Sequence, residues 1–221
     1  MSQKAKNLSK EYDLRFHNTQ KYRAEIWKTL CDDYFSRYVS PEHVVLDMGS
    51  GWGEFINNIN AAYKYAMDLN PDSRSKLNSN VHFLQQDCSQ EWDVSEESLD
   101  VVFSSNFLEH LPDKTHIEDA INEIHRCLRH AGLAIFLGPN IKYVKGEYWD
   151  FWDHFVPLTE QSLAELLRIK GFEVQVNLPR FLPYSMSTGI TPPLFLLKMY
   201  LRLPFLWRFF GKQFLVVAKK T

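Results

Sequence analysis

The chain has 221 residues, of which 45% are hydrophobic and 24% charged, a composition typical of a single soluble globular domain. Its formal net charge of −2 excludes a protein that binds polyanions over its whole surface. The cysteines Cys31, Cys88 and Cys127 are too few and too far apart for a disulfide framework or a cysteine-based zinc site. Residues 1–14 lack the apolar core of a signal peptide, and no apolar run is long enough to span a membrane, so we expect a cytoplasmic protein.

The charge is unevenly distributed along the chain. The 48 residues after Glu173 contain seven Lys or Arg and no acid, so this tail carries +7 and residues 1–173 carry −9. The acidic body, without an added basic domain, disfavours nucleic acid as a partner. The basic tail is a surface on which another molecule could dock.

Helical and strand patterns alternate along the chain. The spacing of apolar residues predicts a helix over 18–38, within an N-terminal helical cap. Alternation of this kind predicts an α/β fold, a doubly wound sheet in which ligands bind at the carboxyl ends of the strands. The predicted strands are 43–47, 63–67, 81–86, 99–104, 133–137, 172–176 and 214–218, and the other predicted helices are 54–60, 115–130, 160–169 and 194–200.

A glycine-rich turn follows the first predicted strand, with Gly49, Gly51 and Gly53 at alternate positions. Glycine there permits positive φ angles and close approach of the backbone to a ligand. A dinucleotide site would have a third glycine at position 54, where this chain has Glu54, a poor neighbour for a pyrophosphate. Asp47, before the turn, instead favours a ligand with a cationic group.

Five segments lie in order at the ends of the predicted strands. They are 44–54 (VVLDMGSGWGE), 66–71 (AMDLNP), 86–88 (QDC), 100–111 (DVVFSSNFLEHL) and 128–133 (LRHAGL). In this order they resemble the motifs of the class I S-adenosylmethionine-dependent methyltransferases. The resemblance implies an enzyme with S-adenosylmethionine as its cofactor and a Rossmann-like, seven-stranded, mostly parallel sheet with helices on both faces.

The resemblance also implies one domain over the whole chain, 1–221. Its parts would be the N-terminal helical cap, the cofactor-binding core, a hydrophobic basic insertion and the last strand. Their expected bounds are 1–40, 42–178, 179–212 and 213–221.

The same resemblance assigns roles at the cofactor site. Asp47 would lie near the ammonium group of the methionine end, and Asp68 would accept hydrogen bonds from both ribose hydroxyls. Asp87 would accept a hydrogen bond from the adenine amino group. The expected cofactor-binding set is Asp47, Gly49, Ser50, Gly51, Trp52, Gly53, Asp68, Leu69, Asp87, Cys88 and Asn106.

The acceptor side has two histidine candidates. His154 is the best candidate for a general base, because imidazole accepts a proton near neutral pH, and Asp150 is the expected partner that orients it. Asp153 is the poorer partner because it is adjacent in sequence. The competing interpretation is that His154 fixes the loop through the backbone. His110, in a Glu-His pair after the fourth strand, is a further catalytic candidate, or it closes over the cofactor or caps a helix.

Other ligand classes are disfavoured by their missing motifs. No set of His and Asp shows the spacing of metal ligands, so we expect no metal. After the fourth strand the chain reads SSNFL over 104–108, without the Asn-Pro-Pro-Tyr pattern that suits nucleobase amino groups. This disfavours a DNA or RNA base as the acceptor.

The insertion 179–212 allows three interpretations. It could be a wall of the acceptor pocket or a homodimer contact, or simply part of the core. It could also lie on anionic lipid through 192–212, which would place the protein at the inner face of the membrane, because basic residues among Leu, Phe and Trp suit that interface.

Stretches 149–154 and 210–214 are similar to those of small methyltransferases encoded with surface-polysaccharide enzymes, which implies a sugar or lipid-linked sugar acceptor.

We therefore expect methyl transfer from S-adenosylmethionine to a hydroxyl oxygen of a small molecule or glycan precursor. One alternative is N- or C-methylation of a lipid or quinone-type precursor. The other is a non-catalytic cofactor-binding partner protein, which the intact cofactor motifs disfavour.

Overall fold

The structure is a computed structural model that describes residues 20–184 and 192–221. Its seven strands are β1 (Val44–Met48), β2 (Tyr63–Met67), β3 (Val81–Leu84), β4 (Leu99–Ser105), β5 (Leu128–Pro139), β6 (Phe172–Leu178) and β7 (Gln213–Lys220). They form one sheet in the order β3-β2-β1-β4-β5-β7-β6. β7 is antiparallel to both of its neighbours, and the other pairings are parallel. This confirms the predicted fold class.

The helices of the described residues pack on both faces of the sheet. They are α1 (Gln20–Asp33), α2 (Lys114–Cys127), α3 (Ile141–Val144), α4 (Glu160–Ile169), α5 (Leu194–Arg202) and α6 (Trp207–Phe210). None of them is long and apolar enough to cross a membrane. The predicted helix at 18–38 ends earlier than expected, at Asp33, and a 3-10 turn over Phe35–Arg37 follows it. The cap's residues 1–19 lie outside the described part of the chain.

Two apolar layers hold the helices to the sheet. α2 and α4 bury one stripe each against one face, where α2 contributes Ile117, Ile121 and Ile124. On the other face α1 packs with residues 55–59 and with part of the insertion around an aromatic core. Side chains alternate along β1, so that Val45 faces α1 and Leu46 faces α2. The sheet therefore presents apolar side chains to the helices on both of its faces.

The predicted helix at 54–60 is wrong, because the segment folds as a series of turns. Its asparagines bond to the backbone and compete with a helical pattern. The Asn58 side-chain amide donates to the Glu54 carbonyl at 2.8 Å, and Asn57 bonds to Lys76 and Asn78 across the loop. A run of turns follows the glycines for this reason.

The strand ends are level at the carboxyl edge of the sheet. Met48 of β1 pairs with Met67 of β2, and Met67 pairs with Leu84 of β3. Residues that follow these strands therefore meet along one edge. The insertion also begins and ends there, since Gln213 at the start of β7 pairs with Pro139 at the end of β5.

Candidate cofactor and acceptor site

A cavity runs along the carboxyl edge, across the ends of β1, β2, β3 and β4. Seven of the expected cofactor-binding residues lie in its wall: Gly49, Gly51, Asp68, Leu69, Asp87, Cys88 and Asn106. The rest of the wall is formed by Met67, Asn70, Ser73, Gln86, Phe107, His110, Leu111, Pro112, His116 and Asp153.

The glycine turn is fixed to the end of β2. The backbone N–H groups of Gly49 and Ser50 both donate to the Met67 carbonyl, at 2.9 and 3.0 Å. Gly49 has φ +70°, and a Cβ atom added to it would lie 2.1 Å from the Phe107 ring. Glycine is required there both by its backbone conformation and by this close packing.

Asp68 connects the glycine turn to the loop after β2. One carboxylate oxygen accepts the Gly51 N–H and the other accepts the Asn70 N–H, each at 2.8 Å. Burial raises the pKa of Asp68, and the two N–H groups oppose that rise. Ser73 adds a buried hydroxyl that has no hydrogen-bond partner among the described residues. The wall thus offers a carboxylate and a hydroxyl to a polar ligand.

Asp87 lies at the far end of the cavity, after β3. Its Oδ1 accepts hydrogen bonds from the Ser89 N–H at 3.0 Å and the Ser89 hydroxyl at 2.8 Å. The Trp92 indole N–H donates to the Cys88 carbonyl at 2.9 Å. These contacts hold the loop in a defined conformation beside the cavity.

Four residues of the expected cofactor set lie outside the cavity wall: Asp47, Ser50, Trp52 and Gly53. Asp47 is buried on the α1 side of β1, where its carboxylate accepts the Ile56 N–H; burial raises its pKa, with the charge of Glu54 adding to the rise. Trp52 packs below Lys76, and a Cβ on Gly53 would meet Leu77. In the structure these residues support the turn, and a contact of Asp47 with an ammonium group stays a prediction.

His110 and Asp153 form a pair in the cavity wall on the acceptor side. The His110 Nδ1 lies 2.9 Å from the Asp153 carbonyl oxygen and 3.1 Å from its Oδ2. Burial lowers the pKa of His110, but the Asp153 hydrogen bond and the charge of Glu109 outweigh it, so the net direction is upward. The sequence predicts Asp153 as the poorer partner of His154 because the two residues are adjacent in the chain. In the structure Asp153 bonds to His110.

His154 is buried behind His110, with its ring 4.8 Å away. Its Nδ1 lies 2.8 Å from the Tyr148 carbonyl oxygen, and the expected partnership with Asp150 stays a prediction. Asp150 ends a 3-10 turn, Lys145–Asp150, that exposes it to solvent. The backbone contact of His154 agrees with the interpretation that it fixes the loop.

The comparisons with known proteins agree with this architecture. A family model described as a methyltransferase domain matches residues 19–176. The chain belongs to this methyltransferase family. A search of curated proteins found no match.

Solved structures share the fold of this methyltransferase at low identity. A SAM-dependent methyltransferase from Archaeoglobus fulgidus is 20% identical, with 91% of this chain and 97% of that chain covered and a TM-score of 0.67. A possible histamine N-methyltransferase from Thermotoga maritima is 17% identical, with coverages of 97% and 95% and a TM-score of 0.63. The [4+2]-cyclase SpnF is 18% identical, with coverages of 87% and 80% and a TM-score of 0.62, so the fold alone does not define the reaction.

S-adenosylmethionine, the cofactor of this methyltransferase, fits the groups in the cavity. Neighbouring strands are about 4.8 Å apart, so the glycine turn, Asp68 and Asp87 are spread over roughly 10 Å. In that order they match a methionine tail, a ribose diol and an adenine amino group. The partnerless Ser73 hydroxyl lies near the middle of this series, beside Asn70. When bound, the cofactor supplies an electrophilic methyl group on a positively charged sulfur.

The sequence reasoning missed several residues of this wall. Asn70 precedes Pro71 and caps the 3-10 turn, its side chain accepting the Asp72 N–H at 3.1 Å, and an Asn-Pro pair after a strand is a recognisable start signal. Phe107 covers Gly49 because Asn106 before it adopts φ +49°. Asparagine adopts positive φ more often than most other non-glycine residues, so the residue type is itself a weak signal of that conformation.

The insertion of this methyltransferase has two different faces. One face is part of the core through Phe181, Leu182, Tyr200, Leu201 and Trp207. The outer face exposes Phe195, Met199, Phe205, Phe209 and Phe210 together with Lys198, Arg202 and Arg208. Among the described residues the insertion contributes nothing to the wall of the cofactor cavity. Contact of 192–212 with a membrane and formation of a homodimer stay predictions, and residues 185–191 lie outside the described part of the chain.

Proposed function

We propose that this enzyme transfers the methyl group to a hydroxyl oxygen of a small molecule or glycan precursor. The observation that carries the proposal is the His110–Asp153 pair in the cavity wall, next to Asn106 and Phe107. A hydroxyl is a weak nucleophile at neutral pH and needs a group that lowers the cost of losing its proton, whereas an amine has a lone pair once it is neutral. A partly buried histidine–carboxylate cluster, formed by Glu109, His110, Asp153 and His154, suits the hydroxyl.

The residues of the cluster have separate tasks. Asp153 holds the Nδ1 side of His110, which fixes the ring and leaves Nε2 as the nitrogen through which His110 can help to activate the acceptor. His154 lies behind His110, and the rings of Tyr148 and Phe151 pack against it. Their centroids lie 4.6 and 4.9 Å from the centroid of the His154 ring. These rings exclude water from that side, which strengthens the electrostatic interactions in the cluster.

Exposed aromatic side chains beside the cluster support a sugar as the acceptor. Trp152 is 90% exposed and adjoins Asp153 in the chain, and Trp149 and Phe155 are also exposed. These three rings lie outside the cavity wall itself, and exposed aromatic surface next to a cavity is a common mark of a ligand site. Such rings can pack on the apolar face of a sugar while one of its hydroxyls faces His110.

Matched acceptors test the proposal. The full chain is incubated with S-adenosylmethionine and either a nucleotide-linked hexose or its amino-sugar counterpart, and product masses are followed over time. We expect one added methyl group on a hydroxyl oxygen, with transfer to the hexose roughly tenfold faster or more. Methylation confined to the amine or to a carbon atom would overturn the proposal.

A further inference from the structure

We propose that Glu109, His110 and His154 together bind one divalent metal ion of the zinc type at the acceptor side of the cavity. The inference rests on the proposed function and deepens it, because it names the means by which the acceptor hydroxyl is activated. It also reverses the expectation of no metal. That expectation came from local spacing, and His154 follows His110 by 44 residues in the chain.

The three side chains converge on one point. One ligand atom from each lies within 4.8 Å of the others. The two imidazole rings are nearly perpendicular, at 67°. Zinc ligands about 2.1 Å from the ion lie roughly 3.4 Å apart, so a small movement of side chains would close the set. Two histidines and one glutamate are a known ligand combination of catalytic zinc.

Both histidines already have the outer hydrogen bonds that metal ligands need. The Nδ1 of His110 bonds to Asp153, and the Nδ1 of His154 lies 2.8 Å from the Tyr148 carbonyl oxygen. A ring that donates its Nδ1 proton in this way carries its lone pair on Nε2. A carboxylate or carbonyl behind each imidazole is the usual arrangement around a metal-bound histidine.

Glu109 places a carboxylate where a cation would stabilise it. The residue is 2% exposed, its charge acts on the nearby Tyr148 hydroxyl, and its main-chain carbonyl accepts the N–H groups of Phe155 and Val156. A buried carboxylate is costly unless it is paired or coordinates a metal. Two imidazoles beside it favour zinc over magnesium, which prefers oxygen ligands alone.

The position of the cluster gives the ion a task. His110 lies in the cavity wall and the buried Glu109 and His154 lie outside it, so a fourth coordination position on the His110 side would face the acceptor. A hydroxyl bound there would have a lowered pKa and would release its proton to water. The resulting alkoxide oxygen would then form the bond to the methyl carbon while the carbon–sulfur bond breaks and its electron pair stays on sulfur.

Calorimetric titration of Zn²⁺ into chelator-treated, full-length protein tests the site. We expect one ion per chain with micromolar or tighter affinity, and no comparable binding of Mg²⁺. His154→Gln should weaken Zn²⁺ binding about 30-fold or more. His130→Gln removes an exposed histidine of β5 and should leave the affinity unchanged. Equal affinities in wild type and both variants would place the ion elsewhere and overturn the proposal.

Two further measurements keep the result interpretable. S-adenosylhomocysteine binding by each variant shows whether it is folded, and Glu109→Gln replaces His154→Gln if the latter is not. Co²⁺ in the site should give a visible absorption band that His154→Gln or Glu109→Gln abolishes, and its persistence in a folded variant would contradict the site. Hydroxyl methylation by metal-free enzyme would overturn this inference alone, whereas a bound ion with transfer only to amines would overturn the proposed function alone.

Discussion

Replacing Asp68 with alanine is expected to weaken binding of S-adenosylmethionine about 100-fold, a loss of about 2.8 kcal/mol. The carboxylate is the part of the cavity wall best placed to accept hydrogen bonds from two ribose hydroxyls. Its loss also frees the Gly51 and Asn70 N–H groups that it holds at 2.8 Å. Calorimetric titration with S-adenosylhomocysteine measures the effect.

Asp93→Ala is the matched control for this substitution. Asp93 is exposed and lies outside the cavity wall, so the variant has the same change of charge without the contact. We expect its affinity to stay within about twofold of wild type, as for surface substitutions in general. If Asp68→Ala bound the cofactor as tightly as Asp93→Ala, Asp68 would not hold the ribose.

Truncating Phe103 to alanine should lower the free energy of unfolding by about 4 kcal/mol. The side chain of Phe103 is fully buried in the middle of β4. Its ring stacks on Phe55 with centroids 3.7 Å apart and meets the rings of Phe35 and Trp27 at 5.1 and 5.9 Å. The cavity left by the ring cannot close without moving α1 away from the sheet.

Urea denaturation followed by fluorescence measures this loss. Phe205→Ala serves as the control because Phe205 lies on the outer face of the insertion and is 59% exposed. We expect it to change the unfolding free energy by no more than about 0.5 kcal/mol. Similar losses in the two variants would contradict the aromatic core described for this face of the sheet.

The strands were predictable because their patterns are local. β2 begins and ends at the predicted residues, and β5 was found although it starts five residues earlier than the prediction of 133–137. The failure at 54–60 arose from tertiary hydrogen bonds of Asn57 to Lys76 and Asn78, which helix periodicity cannot show. Whether side-chain hydrogen bonds replace helical ones in this way depends on which residues the loop contacts in the folded protein.

The site was predictable where one residue follows one strand. Asp68 and Asp87 lie in the cavity wall because position after a parallel strand determines position in the fold, whereas their expected roles come from the family resemblance. The acceptor side depends instead on how the loop over 141–155 folds back onto Glu109. That tertiary contact determines the pairs, in which Asp153 bonds to His110 and the Tyr148 carbonyl oxygen lies next to His154. No spacing within the chain encodes it.

Hydrogen–deuterium exchange with and without S-adenosylhomocysteine tests most directly whether the cofactor binds along the carboxyl edge. The account predicts slower exchange in 49–53, 68–73 and 86–89 and at His110, with no change in α5. Slower exchange confined to α1 and α5, with the glycine turn unchanged, would contradict it.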